Sequence, residues 1–224
     1  MGGELPASVR HIDCGRVNAY LVEDGDALTL VDAGTPGCAD RIRSAVRDEG
    51  YTIRELDRVL LTHYDVDHVG GLAKLTPALE AEVIASRHAA DLLSEERSPP
   101  WTNHKGLIQR AARFLLSAPE LPLVHVEHEA PVGSFTAYHT PGHTPGHVVY
   151  VSERLDVAFL GDLVHESDGD LVASKWLVSY DTGEVRASIK SLAAQTSYFE
   201  YACSGHGEVL GDGYKRLERL AERL

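Results

Sequence analysis

Residues 62–71 read Thr62-His63-Tyr64-Asp65-Val66-Asp67-His68-Val69-Gly70-Gly71, directly after the apolar residues Val59-Leu60-Leu61. Arg58–Thr62 reads as a buried strand that delivers the chain into His63. Four residues of metal-ligand type fall within the next six positions. Side chains two apart on an extended segment point the same way, so His63 and Asp65 can grip one metal together. If the chain then turns, Asp67 and His68 can face a second. Gly70 and Gly71 let the backbone turn sharply and pass close to such a site. Imidazole and carboxylate together suit zinc, iron or manganese better than calcium or magnesium.

The same arrangement recurs outward from this stretch. Short β-rich runs are expected at Asn18–Glu23 and Ala27–Asp32, with a helix at Ala39–Glu49 stopped by Gly50. A strand at Glu82–Ala85 and a polar helix at Arg87–Glu96 follow. Thr102–Ser117 is helical in pattern, with Leu107, Ile108, Ala111, Phe114 and Leu115 on one face, and Pro119 and Pro122 end it. Strands are then expected at Leu123–Val126, Ser134–His139, Val148–Ser152 and Val157–Leu160. A helix at Gly183–Ala194, a strand near Phe199–Cys203 and a helix at Tyr214–Arg223 complete the pattern. More ligand-type residues sit at strand ends, in Pro141-Gly142-His143-Thr144-Pro145-Gly146-His147, Leu160-Gly161-Asp162 and Ser204-Gly205-His206-Gly207. Strand pairs with helices outside, in two similar halves, imply one α/β domain of layered α/β/β/α type over residues 1–224.

Composition narrows the partners. The 224 residues carry 34 acids against 21 lysines and arginines, a formal net charge of −13, which disfavours a nucleic-acid partner. No apolar run is long enough for a membrane span. Met1–Arg10 shows no basic patch followed by an apolar stretch, so a cytoplasmic protein is expected. The three cysteines, Cys14, Cys38 and Cys203, are far apart and form no CxxC. They read as small buried residues in a reducing compartment, without a disulfide framework. Twelve histidines are the unusual count, and histidine is the commonest metal ligand. Oligomeric state is not encoded in these features.

THYDVDHVGG, TPGHTPGH, LGD and SGHG, in that order, together with the earlier Val31-Asp32-Ala33-Gly34, resemble the metallo-β-lactamase superfamily. The resemblance implies a four-layer αβ/βα sandwich with metals at one edge. By position, His63, Asp65 and His143 would hold a first metal. Asp67, His68 and His206 would hold a second, with Asp162 bridging. It also implies a supporting role for Asp32 in fixing the site's hydrogen bonds, while His147 reads as structural support. One position departs from the family. Asp65 stands where histidine is usual, giving HxDxDH in place of HxHxDH. Two divalent ions are expected, zinc foremost, with the carboxylate favouring iron or manganese at the first site.

The chemistry so implied is hydrolysis by a metal-bridging hydroxide, with Asp67 orienting it and passing a proton to the leaving group. The substrate would be a small ester, lactone or thioester. A helical cap insertion at about 87–122, with Trp101, His104 and Phe114, is placed to cover the groove. The loop Leu163–Thr182, with His165, Trp176 and Tyr180, could form another wall. Tyr64, His104, His165 and Tyr180 are the candidate substrate contacts. The rival class is a non-haem iron oxidoreductase, of persulfide dioxygenase-like or flavodiiron-like type. Flavodiiron proteins carry a carboxylate at the position of Asp65, but also a flavodoxin domain that this sequence lacks.

Overall fold

The computed structural model describes residues 5–116 and 121–224. Its first sheet holds β1 (Val9–Asp13), β2 (Asn18–Asp24), β3 (Ala27–Val31), β4 (Arg58–Leu60), β5 (Glu82–Ala85) and β6 (Leu123–His125), side by side in that order. The first three pair antiparallel, and β3 to β6 run parallel. The second sheet has the order β13–β10–β9–β8–β7. It is built from β7 (Ala130–Val132), β8 (Phe135–His139), β9 (Val148–Ser152), β10 (Val157–Gly161) and β13 (Tyr201–Ser204). A separate hairpin, β11 (Val164–Ser167) and β12 (Asp170–Ala173), lies between β10 and β13 in the chain.

Period-two alternation assigns each strand residue to a layer. Leu30, Val59 and Val83 face outward from the first sheet, where they pack with Ile42 and Val46 of helix α1 (Ala39–Asp48). Their neighbours Val31, Leu60 and Ile84 face inward and meet Tyr150 and Phe159 of the second sheet. Val149, Val151, Ala158 and Leu160 face the other way, against Val185 and Ile189 of α6 (Thr182–Gln195) and Leu217 of α7 (Gly213–Arg223). Three apolar clusters thus separate four layers, and the expected αβ/βα sandwich is the architecture found. Between α1 and α6 come two one-turn helices, α2 (Val66–Val69) and α3 (Leu72–Leu75). They are followed by α4 (Arg87–Leu93) and α5 (His104–Ala112).

Several expectations are corrected. β1 and the β11–β12 hairpin were not anticipated, and Leu163–Thr182 is therefore not a plain loop. Cys14 and Cys38 form a disulfide, with Cα atoms 5.2 Å apart, while Cys203 is buried and free. Reading a reducing compartment from unpaired cysteines loses its premise. Along α5 and the turn after it, Leu107, Ile108, Phe114 and Leu115 are 45% to 93% exposed, with Ile108 bordering a cavity, while Lys105, Gly106 and Gln109 are buried. Contacts from Lys105 and Gln109 to Asp65 fix this orientation. The expected end of this helix at Ser117 and its stop at Pro119 lie outside the described residues. No helix among the described residues is long and apolar enough to cross a membrane.

Candidate metal centre

The C-terminal ends of β3 and β4 lie beside those of β10 and β13, and each releases a polar residue at this common edge. Asp32 follows β3 with φ of +57°, a left-handed conformation that costs energy in an aspartate. The strain places its carboxylate between two partners. One oxygen accepts from the Thr62 backbone N–H at 2.9 Å. The other accepts from the Thr62 hydroxyl and from His68 Nδ1, each at 2.8 Å. His68 is thereby fixed with its proton on Nδ1 and its Nε2 lone pair facing the site. Thr62 Oγ1, already donating to Asp32, accepts from His63 Nδ1 at 2.9 Å, which frees His63 Nε2 in the same way.

His143 comes from the β8–β9 loop and His206 from just beyond β13. His206 directs Nδ1 to the Arg16 carbonyl, and its Nε2 lies 3.1 Å from Asp162 Oδ2 and 3.6 Å from Asp67 Oδ2. His143 Nδ1 meets Ser174 Oγ at 2.9 Å. Ligand atoms from His63, Asp65 and His143 lie within 4.8 Å of one another, and so do those from Asp67, His68 and His206. Asp162 lies between the two groups, 3.3 Å from His68 Nε2 and 3.5 Å from His143 Nε2. The backbone passes closely here: a Cβ on Gly205 would fall 2.1 Å from Asp162 Oδ1. Only glycine fits at that position.

Burial opposes the charge on the site's ionisable groups, and neighbouring charges reverse that effect for some of them. His68 is deeply buried, yet the Asp162 and Asp32 carboxylates favour positive charge there and raise its pKa well above the ordinary histidine value, a charge that a cation on Nε2 would supply in place of the proton. Burial also works against Asp162, but His68 and His206 keep its carboxyl well below the usual range. Burial and the Lys105 charge push His143 down to about 4. The atoms His63 Nε2, His68 Nε2 and Asp162 Oδ1 are buried and find no hydrogen-bond partner among the described residues. Three unpartnered lone-pair atoms pointing into one space call for a cation.

Asp32 contacts His68 directly, and His147 contacts the backbone of Asp162. His147 Nε2 accepts the Asp162 backbone N–H at 3.0 Å, and its Nδ1 meets Thr140 Oγ1 at 2.8 Å, so neither nitrogen is left for a metal. A cavity of about 500 Å³ opens over the site, and Tyr64 and His165 are part of its wall. Burial, with Lys175 nearby, lowers the His165 pKa and leaves its ring neutral at pH 7.

The other two candidate contacts are elsewhere. His104 stacks on Trp176, ring centroids 4.5 Å apart, with Nε2 on the Trp176 carbonyl. The Tyr180 hydroxyl donates to Gln109 Oε1, and its backbone N–H donates to the His143 carbonyl. Both serve to anchor α5 and the β8–β9 loop and are absent from the cavity wall. Sequence reasoning missed Lys105 and Gln109. Their i, i+4 spacing, with an acid where the family has histidine, was the available signal.

The metallo-beta-lactamase superfamily model matches residues 12–198. The uncharacterized protein YobT of Bacillus subtilis (strain 168) is 31% identical over 218 residues, covering 92% of this chain and 90% of that protein. YybB of the same strain, a probable metallo-hydrolase, is 30% identical over 194 residues, covering 86% of this chain and 81% of its own. The crystal structure of TTHA1623 in a di-iron-bound form superposes with a TM-score of 0.70 at 26% identity over the full length of both chains. With a family model spanning most of its length and a relative alike from end to end, this chain belongs to the metallo-beta-lactamase superfamily.

Proposed function

We propose that the protein is a metal-dependent hydrolase that cleaves a small ester, lactone or thioester bearing an apolar acyl group. The observation that carries this reading is the pair of unpartnered buried atoms His68 Nε2 and Asp162 Oδ1, beside Asp67 and His206 at the base of a cavity with an apolar wall. Tyr64, Ile108, Ala112, Leu116, Leu177 and Val178 form that wall, and they suit an acyl chain better than a sugar or a phosphate ester. Asp67, His68, Asp162 and His206 are the residues we assign to hold a divalent ion, with zinc first and iron or manganese as alternatives. Such an ion supplies a Lewis acid and water made acidic enough to attack at neutral pH.

The chain's own groups do the rest. Asp32 keeps the His68 Nε2 lone pair aimed at the site, and the Arg16 carbonyl does the same for His206. Asp67 is partly exposed at the cavity floor, where its carboxylate can take the proton of the attacking water and return it to the leaving oxygen or sulfur. His165, neutral on the wall, can hydrogen-bond the substrate's polar end. The net charge of −13 fits a small-molecule substrate better than a nucleic acid.

A second reading, a non-haem iron oxidoreductase, is favoured by the Asp65 carboxylate and by the di-iron-bound TTHA1623 structure. Metal analysis of protein purified without chelator, with ester, lactone and thioester panels, separates the two. Turnover of at least one panel supports hydrolysis. Bound iron with thiol-dependent oxygen uptake and no hydrolysis would replace it with the second reading.

A further inference from the structure

We infer that Lys105 occupies the first of the two metal pockets, so that its ammonium group stands where the family's first metal would be and the protein works with a single ion at the second. This rests on the metal-dependent reading above for the second pocket only. Lys105 is 4% exposed, and its Nζ lies 2.7 Å from Asp65 Oδ2 and 2.6 Å from His143 Nε2. These are two of the three side chains that the first pocket offers a metal.

The lone pair on His143 Nε2 decides the matter. An ammonium only donates, so Nε2 must accept from it, and the ring's proton sits on Nδ1 toward Ser174. A nitrogen has one lone pair in the ring plane and cannot give it to a metal while accepting from Lys105. Both Asp65 oxygens are already engaged, Oδ1 accepting from Gln109 Nε2 at 2.6 Å and Oδ2 from Lys105. A divalent ion added beside the ammonium would also meet like charge at close range in a buried site. The chemistry of the donor set therefore fits a metal at the second pocket and does not fit one at the first.

The lysine is held in place by construction. The Asn103 side chain caps α5, accepting from the Lys105 backbone N–H at 2.9 Å and donating to the Tyr180 carbonyl at 3.1 Å. At Gly106 the helix lies so close to Pro100 that a Cβ would come within 2.3 Å of the Pro100 carbonyl oxygen. One turn after Lys105, Gln109 reaches the same carboxylate, and the Tyr180 hydroxyl orients its amide. The exposure of Leu107 and the position of Ile108 on the cavity wall follow from this placement of Lys105 and Gln109. That placement also accounts for the substitution at position 65: an acid pairs with a lysine, as histidine would not. The pocket is thus filled by a lysine–aspartate ion pair in place of an ion.

Metal stoichiometry tests this without reference to turnover. Wild-type protein, stripped and then equilibrated with excess zinc, manganese or ferrous iron and desalted, is expected to retain one equivalent per chain by elemental analysis. Lys105→Met, which frees the Asp65 and His143 ligand atoms beside His63, is expected to retain two. Asp65→Asn is expected to retain one, as in the wild type. Two equivalents in the wild type, falling to one in Asp65→Asn, would overturn the inference while leaving metal-dependent hydrolysis intact. No retained metal would overturn both. If Lys105→Met fails to fold, the wild-type and Asp65→Asn stoichiometries still decide.

Discussion

Asp24 and Asp162 are both drawn out of water near the end of a strand, and both lie beside cationic or protonatable side chains, but at opposite edges of the molecule. Asp24 closes β2 at the edge away from the metal centre, and every contact around it is made within the protein. Its Oδ2 accepts from Arg58 Nη2 and from the Ser134 backbone N–H, each at 2.9 Å, and its Oδ1 accepts from Arg154. Arg58 is satisfied in turn by Thr29 Oγ1 at 2.8 Å. Asp162, by contrast, keeps one buried oxygen without a partner, next to two histidine nitrogens in the same state. The first cluster is complete as it stands, and the second is arranged around something further. A buried charge is therefore informative about function only when its hydrogen-bond account is left open.

Substitutions should separate the two clusters. The largest effect is expected from Asp162→Ala, which should remove the metal and cut kcat/KM by a factor of about 10³, roughly 4 kcal/mol of transition-state stabilisation. Steady-state kinetics with elemental analysis would show it, and the variant should stay folded. Asp24→Ala should do the reverse. Leaving Arg58 without its partner should cost about 3 kcal/mol in urea unfolding, with metal content unchanged.

The same carboxylate gives a pH signature. Burial opposes its charge, but the Ser134 hydrogen bonds and the two arginines outweigh that and hold the Asp24 pKa below 3.8. Because the folded pKa lies below the unfolded one, the contribution is full above pH 3.8 and is lost as pH falls through the folded value. The stability gap between wild type and Asp24→Asn, measured in chelator, should therefore close on acidification below pH 3.8.

A further contrast is metal removal. Stripping the ion should lower wild-type stability by about 2.7 kcal/mol when free metal is 100-fold above Kd. Asp24→Ala should show the same decrement, and Asp162→Ala none. The smallest effect is expected for Tyr180→Phe. Losing one hydrogen bond to Gln109 should cost about 1 kcal/mol of stability, read by thermal unfolding, with the α5 anchor loosened and the second pocket's metal retained.

How far the sequence carried varies by residue, and for a physical reason. β5 and β9 fall at the residues expected from their apolar runs, because both strands are buried and the pattern is set by burial alone. The strand-end acids and histidines are likewise brought to one edge, since parallel strands deliver their C-termini together. Helix α5 defeats the same logic. Periodicity puts Leu107, Ile108 and Phe114 on one face without saying which face is buried, and Lys105 and Gln109 are drawn inward by a carboxylate 40 and 44 positions earlier in the chain. A pairing between residues so far apart leaves no trace in local pattern. His104 and Tyr180 were drawn into the candidate set by residue type, whereas their neighbours make them anchors. Cys14 and Cys38 show the same limit, as spacing alone could not bring their Cα atoms to 5.2 Å.

The most direct test of the metal-dependent reading is hydrolysis measured on one preparation in three states: as loaded, after exhaustive chelation, and after stoichiometric metal is restored. Turnover of an ester, lactone or thioester should disappear with the metal and return with it. Undiminished turnover in chelator, with elemental analysis showing no bound metal, would contradict the account.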